Sequence, residues 1–310
     1  MNRLFLGTVA ALALGVAGGA QASNTIQFDI NGSAPGGVIS VDTFDWTPDN
    51  ALIVNGATPG TTQVQVVAQG SLGVFTLSGV PNVNTLPISG TEFTFQIDMQ
   101  ETVAGIGTNT VQLTPVSGTI SIYYDAVADA NQLAGTGYND GQLILTASIV
   151  PGAGSTGTFT DFNALGPVPT TPLDNHNANN YPNVVSDSGN GSTKLDFHVT
   201  FADPNFFLSN ITTLLIGMQD TSNNTTPFIQ ADPAAQVVGI APVFTVNPAG
   251  GFVNGQPLLC GQLAQTRCDF LVQTDASTTF NTAAVPEPGT LALLSLGLLG
   301  AGVLGRRKMH

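Results

Sequence analysis

The feature that most constrains what this chain can fold into is a two-residue alternation of apolar and polar side chains, repeated in short runs between turn-forming residues. Leu195-Asp196-Phe197-His198-Val199-Thr200-Phe201 alternates without a break. So do Glu92–Met99, with Phe93, Phe95, Ile97 and Met99 on one face, and Thr119–Tyr124, through Ile120 and Ile122. Successive strand side chains point to opposite faces, so each run reads as a strand with one buried face. Val64 and Val66 followed by Val67 slip by one residue. Ile39 and Val41 followed by Phe44 and Trp46 predict a bulge near Asp42-Thr43. Gln142–Val150 and Cys268–Thr274 read as further strands, and Pro204–Ser209 allows one short helical turn.

Asn31-Gly32, Pro59-Gly60, Asn139-Asp140-Gly141, Asn190-Gly191 and Asn254-Gly255 separate these runs, each supplying a residue that tolerates positive φ. Strands at this spacing predict an all-β, antiparallel sandwich or jelly roll over residues 23–275. Only 8% of residues are charged and Gly and Pro are abundant, a composition that disordered chains share; the apolar periodicity argues against disorder. Pro167–Asn190, rich in Pro, Asn and Asp, is the expected long surface loop, and 167–190 a soft boundary between two β layers. Residues 276–284 are rich in Ser, Thr and Ala and are expected to be a linker.

The two ends differ from this interior. Arg3 is followed by the apolar run Leu4–Ala17, interrupted only by Gly and Thr, and Ala20-Gln21-Ala22 places small residues before Ser23. That is the pattern of a secretory signal peptide over residues 1–22, a helix cut after Ala22. A second apolar segment, residues 289–305, would extend about 25 Å as a helix, a little short of the roughly 30 Å hydrocarbon core. Arg306, Arg307 and Lys308 follow as a stop-transfer cluster that keeps the C-terminus cytoplasmic.

Residues 23–284 hold nineteen acidic residues and two basic ones, Lys194 and Arg267, a net charge of −17. Such a surface repels phosphate backbones, which excludes nucleic acid as the expected partner. Cys260 and Cys268, in an exported chain, predict one short-loop disulfide contributing about 2–3 kcal/mol.

The sequence Val285-Pro286-Glu287-Pro288, then the apolar span, then Arg306-Arg307-Lys308 closely resembles the PEP-CTERM sorting signal over residues 285–310. The resemblance implies a tail held transiently in the inner membrane until an exosortase cuts near Pro286-Glu287-Pro288. It further implies delivery to the cell surface or extracellular matrix of a bacterium that makes exopolysaccharide. The flanking prolines keep the backbone extended, as a processing enzyme needs. Tyr123-Tyr124-Asp125 together with Gly135–Leu145 is similar to segments of flocculation-associated PEP-CTERM proteins, which implies a part in holding cells together in polysaccharide.

Signals for catalysis are poor. Gly154-Ser155-Thr156-Gly157 lacks the first glycine of a nucleophile elbow, because Ala153 stands there. Gly152–Gly157 matches G-x-G-x-x-G, but the strand-like Thr158-Phe159-Thr160 follows where a phosphate site needs a helix. His176 and His198 have no zinc spacing. Calcium is the one cofactor with a physical argument: Asp125, Asp129, Asn131, Asn139 and Asp140 cluster around an expected hairpin, though Asx turns explain the same residues. The expected function is non-enzymatic, in exopolysaccharide-dependent flocculation or biofilm. The alternative is a carbohydrate-binding module, or a secreted hydrolase acting on polysaccharide. Binding by stacking would need exposed rings among Trp46, Tyr123, Tyr124, Tyr138 and Tyr181.

Overall fold

The computed structural model describes residues 25–33, 36–55, 61–81, 90–105, 110–131, 135–152, 155–161, 189–221, 252–253, 256–257 and 270–282. They belong to one unit, Asn24–Thr282; the other, Met1–Ser23 with Ala283–His310, lies outside them. The helices expected at the two termini therefore fall outside the described residues.

The alternating runs form the strands expected of them. In chain order these are β1 (Ile26–Asp29), β2 (Val38–Val41), β3 (Thr43–Trp46), β4 (Asp49–Val54), β5 (Gln63–Leu77), β6 (Val80–Pro81), β7 (Glu92–Ala104) and β8 (Thr110–Asp125). They continue with β9 (Gln142–Ile149), β10 (Thr156–Asp161), β11 (Gly189–Ala202), β12 (Ile211–Thr221), β13 (Phe252–Val253), β14 (Gln256–Pro257) and β15 (Phe270–Thr282). Every pairing among them is antiparallel.

The sheet closes on itself, and this replaces the expected sandwich. β9 and β10 occupy one position end to end, since both pair with β8 on one side and β11 on the other. β3 and β4 share another position in the same way, between β5 and β15. The circuit then runs β3/β4, β5, β7, β8, β9/β10, β11, β12, β15 and back to β3/β4, an eight-position up-and-down barrel. Closure removes the sheet edges that a sandwich would leave unpaired. Local alternation does not distinguish the two, because the closing contact spans 232 residues: Trp46 Nε1 donates to Thr278 Oγ1 at 2.8 Å.

Register then decides what faces where. Ala68, Ile97, Ile120 and Ala147 form one continuous row around the wall, all fully buried and facing in. The neighbouring row runs Val67, Asp98, Thr119, Ser148, His198 and Thr213 and faces out. A wall that is apolar inside and mainly polar outside reverses the order of a membrane-spanning barrel. One end of the interior is filled by rings. Phe28, on the β1–β2 hairpin, lies 5.0 Å from Phe44, 5.4 Å from Phe75, 5.5 Å from Phe93 and 5.0 Å from Phe207.

Two local expectations are corrected. The parity change near Asp42-Thr43 is a change of sheet rather than a bulge: Val41 pairs with Ile26 in the hairpin, whereas Thr43 pairs with Thr76 in the barrel. Asp42 fixes the corner, donating its N–H to Thr76 O at 2.9 Å and accepting from Ser78 N at 2.6 Å. The bulge lies farther along, between the Asp45–Val74 and Trp46–Leu72 pairs, where Gly73 is the extra residue. The linker expected over 276–284 is also overturned for residues 276–282, which belong to β15. Ala276, Thr278 and Phe280 are buried there, and the body extends to Thr282 rather than ending at 275. Thr278 is small because Trp46 fills the space beside it.

Candidate functional site

Both chain ends of the described body meet at the ring-filled end of the barrel. Thr282 pairs with Ile211, and just before Ile211 the Leu208 N–H donates to Gln27 O at 3.0 Å while Ser209 Oγ accepts from Gln27 N at 2.8 Å. The segment expected as one turn, Pro204–Ser209, begins with the N–H groups of Phe206 and Phe207 both donating to Asp203 O.

The loop from β8 to β9 forms part of the same rim and carries the residues named for calcium. Asp125, Asp129 and Asp140 each bring a carboxylate oxygen within 4.8 Å of the others. Asn131 forms a bridge with Thr136, and Asn139 is half-buried on the same loop. Oxygen ligands sit about 2.3–2.6 Å from calcium, so the three carboxylates are close enough to share one ion. A fourth carboxylate, Glu92 Oε1, accepts the N–H groups of Asp129 and Ala130, each at 2.9 Å. Burial holds the Glu92 pKa above its ordinary value; the two amides pull it down, and the charges of Asp129 and Asp125 raise it further.

Tyr138 ties this loop to the barrel. It is buried, its hydroxyl donates to Asp49 Oδ2 at 2.5 Å, and its carbonyl accepts from Thr94 Oγ1 at 2.8 Å. Burial first, and the Asp49 charge second, push the phenol pKa far up. On the outer wall Asp275 also titrates above its usual range, through burial and then the charge of Asp45.

At the opposite end the interior holds a cavity of about 20 Å³. Val66, Met99, Leu113, Phe159 and Met218 surround Thr193 and the carboxyl of Glu101, which is 1% exposed. The space suits about one water molecule and falls far below the roughly 300 Å³ at which small-molecule sites begin. By residue type Glu101 reads as a surface residue, yet it continues the inward face of Phe93, Phe95, Ile97 and Met99 and is buried there. Gln69 gave no comparable sign: it lies on the outer wall, yet it is fully buried and neither amide atom has a hydrogen-bond partner among the described residues.

The rings considered for sugar stacking do not form a platform among the described residues. Trp46 and Tyr138 are buried, and Tyr124 packs against Phe93 at 5.2 Å and Phe206 at 5.2 Å. Tyr123 is half-buried on the outer wall, paired with the exposed Leu143; Tyr181 lies outside the described residues. His198 is exposed on the outer wall, and His176 lies outside the described residues. Gly152, at φ +108, turns the chain as Ser155 N donates to Gly152 O, and β10 follows.

The termini and the disulfide candidates lie outside the described residues: Ala20, Ala22, Ser23, Cys260, Cys268, Val285, Pro286, Glu287, Pro288, Arg306, Arg307 and Lys308. Most of loop 167–190 does too, with β11 beginning at Gly189. Among the described residues no helix is long and apolar enough to cross a membrane. No curated protein and no solved structure matches the chain. The family model of the PEP-CTERM protein-sorting motif does match, over residues 284–308, so the chain carries the C-terminal signal that an exosortase reads and is an exported, surface-sorted protein.

Proposed function

We propose that this is a non-enzymatic barrel, delivered by its tail to the cell surface or extracellular matrix, where it contributes to exopolysaccharide-dependent flocculation or biofilm. The observation that carries this reading is the sorting-motif match over residues 284–308. The likeness of Tyr123–Leu145 to segments of flocculation-associated proteins supports the finer part. The barrel supports a scaffold more than a binder of small molecules, because side chains fill its interior. Transient residence in the inner membrane follows from an apolar span closed by Arg306, Arg307 and Lys308.

Deleting residues 285–310 tests the sorting reading. The truncated protein is expected wholly in the medium, with loss of cell aggregation equal to that of a strain lacking the protein. Unchanged surface retention would refute the role of the tail. Full aggregation with the protein free in the medium would refute the flocculation role while leaving sorting intact. The alternative, a polysaccharide-binding module or hydrolase, has the weaker support, since of the five rings considered only Tyr123 is described on the outer wall. Binding of the purified body to a glycan array, or turnover of labelled exopolysaccharide, would favour it.

A further inference from the structure

Only a short stretch of chain separates the last strand of the barrel from the sorting site. β15 runs to Thr282, and the tripeptide begins at Pro286 with only Ala283, Ala284 and Val285 between. Four Cα steps span at most about 14 Å when fully extended. The end of β15 is also firmly held. Asn281 Nδ2 donates to Thr213 Oγ1 at 3.1 Å, and Phe280 is fully buried with its ring 4.8 Å from Phe44 and 5.8 Å from Phe207. A processing enzyme grips extended backbone on both sides of the bond it cuts. A cleft that takes more than three residues before Pro286 must therefore strip Thr282 from β12, and one that takes more than four must strip Asn281 as well.

β15 is also the strand whose docking completes the barrel. It joins β12 to β3 and β4, and its contact with Trp46 spans 232 residues. Pairings of such long range form slowly, because loop-closure entropy is lost before contacts repay it. In a chain exported N-terminus first, β15 emerges immediately ahead of the tail.

We propose that closure of the barrel and processing of the tail compete for the same residues. The sorting site is open to the exosortase while residues 276–282 are undocked, and it is shielded once Phe280 enters the ring cluster. Phe280 is a positioning residue here, acting through the strand end it anchors. The proposal rests on the reading of the tail as an exosortase signal.

Pulse–chase labelling of the full chain in the producing cell tests it, with the full-length form resolved from the form lacking its tail. Three versions are compared: the wild type, a chain with a Gly/Ser spacer of about ten residues inserted after Thr282, and Phe280→Ala. The spacer leaves every barrel residue in place, so a folding defect cannot imitate its effect. It is expected to shorten the processing half-time about fivefold, the factor for relief of a modest unpairing cost. Phe280→Ala is expected to shorten it in the same direction. A spacer chain processed at the wild-type rate overturns the proposal, whatever Phe280→Ala does. A wild-type chain that is never processed removes the sorting reading, and this proposal with it.

Discussion

Replacing Tyr138 by Phe is the sharpest probe of how the rim loop is fastened to the barrel. The substitution removes a single oxygen from a buried ring and leaves its shape in place. In the native protein that oxygen donates to Asp49 Oδ2 at 2.5 Å, and Asp49 is itself 3% exposed. A hydrogen bond to a charged group contributes about 1.5–3 kcal/mol, and its loss leaves a buried carboxylate short of a donor. For a body of this size each kcal/mol moves Tm by about 2–4 °C, so Tyr138→Phe is expected to lower Tm by about 3–12 °C. Calorimetry on residues 23–282 at neutral pH reads this directly. A second arm separates the bond from the ring. In Asp49→Asn the charge is gone, so Tyr138→Phe in that background is expected to cost less than half as much, a coupling that a double-mutant cycle isolates. A fall in Tm below about 1 °C for Tyr138→Phe, or equal costs in both backgrounds, would refute the argument that this bond holds the loop.

Two further outcomes follow from buried polar groups. Gln69→Met replaces an amide that is fully buried, and without a hydrogen-bond partner among the described residues, by an apolar side chain of similar length. It is expected to stabilise the body by about 1 kcal/mol, seen as a higher urea midpoint at unchanged slope; a lower midpoint would show that the amide is satisfied in solution. Glu92 has a folded pKa raised by burial above its ordinary 4.5, so its protonated form is the one the fold favours. Its contribution is full below pH 4.5 and is lost as pH rises through the folded pKa. Glu92→Gln keeps an acceptor for the Asp129 and Ala130 amides and cannot ionise, so its midpoint advantage over the wild type is expected to grow from pH 4 to pH 7. An advantage that shrinks over that range would contradict the sign.

What the sequence discloses depends on whether a contact leaves a local trace. β7, β8 and β11 are written plainly, because a barrel wall buries one face of each strand and period two follows. The closing of β15 onto β3 and β4 leaves no such trace. Cys268–Thr274 reads as a strand, but Ala276 and Thr278 are small, with Trp46 beside Thr278, so residues 276–282 read as a linker by composition. Asp42 misleads differently: a jump between two sheets reverses side-chain parity as a bulge would, and sequence alone does not separate the two. The sorting motif is legible because its parts are contiguous. The three carboxylates are legible because Asp125 and Asp140 stand at the two ends of the connection between the paired strands β8 and β9, with Asp129 a few residues into it. Glu101 was legible in principle, lying two residues past Met99 on an inward face, whereas the burial of Gln69 on the outer wall had no signal in the strand pattern.

The filled interior bears on where any partner can make contact. An eight-strand barrel has room either for its own side chains or for one small ligand. Here Phe28, Phe44, Phe75, Phe93 and Phe207 occupy one end, and the space left near Glu101 is about 20 Å³. A polymer partner must then be met on the outer wall or at the rims. That wall is largely hydroxyl- and amide-bearing, and its exposed apolar side chains include Leu143 and Phe201. Thr146 and Thr200, on the adjacent strands β9 and β11, have their Oγ1 atoms 2.9 Å apart. Polysaccharide contact through such a surface would rest on many weak hydrogen bonds, so its strength would come from many copies displayed on one cell. A chain whose tail delivers it to the surface meets that condition, and a copy free in the medium does not. Under the proposed role, the sorting signal and the body would serve one requirement: weak contacts suffice only where display is dense.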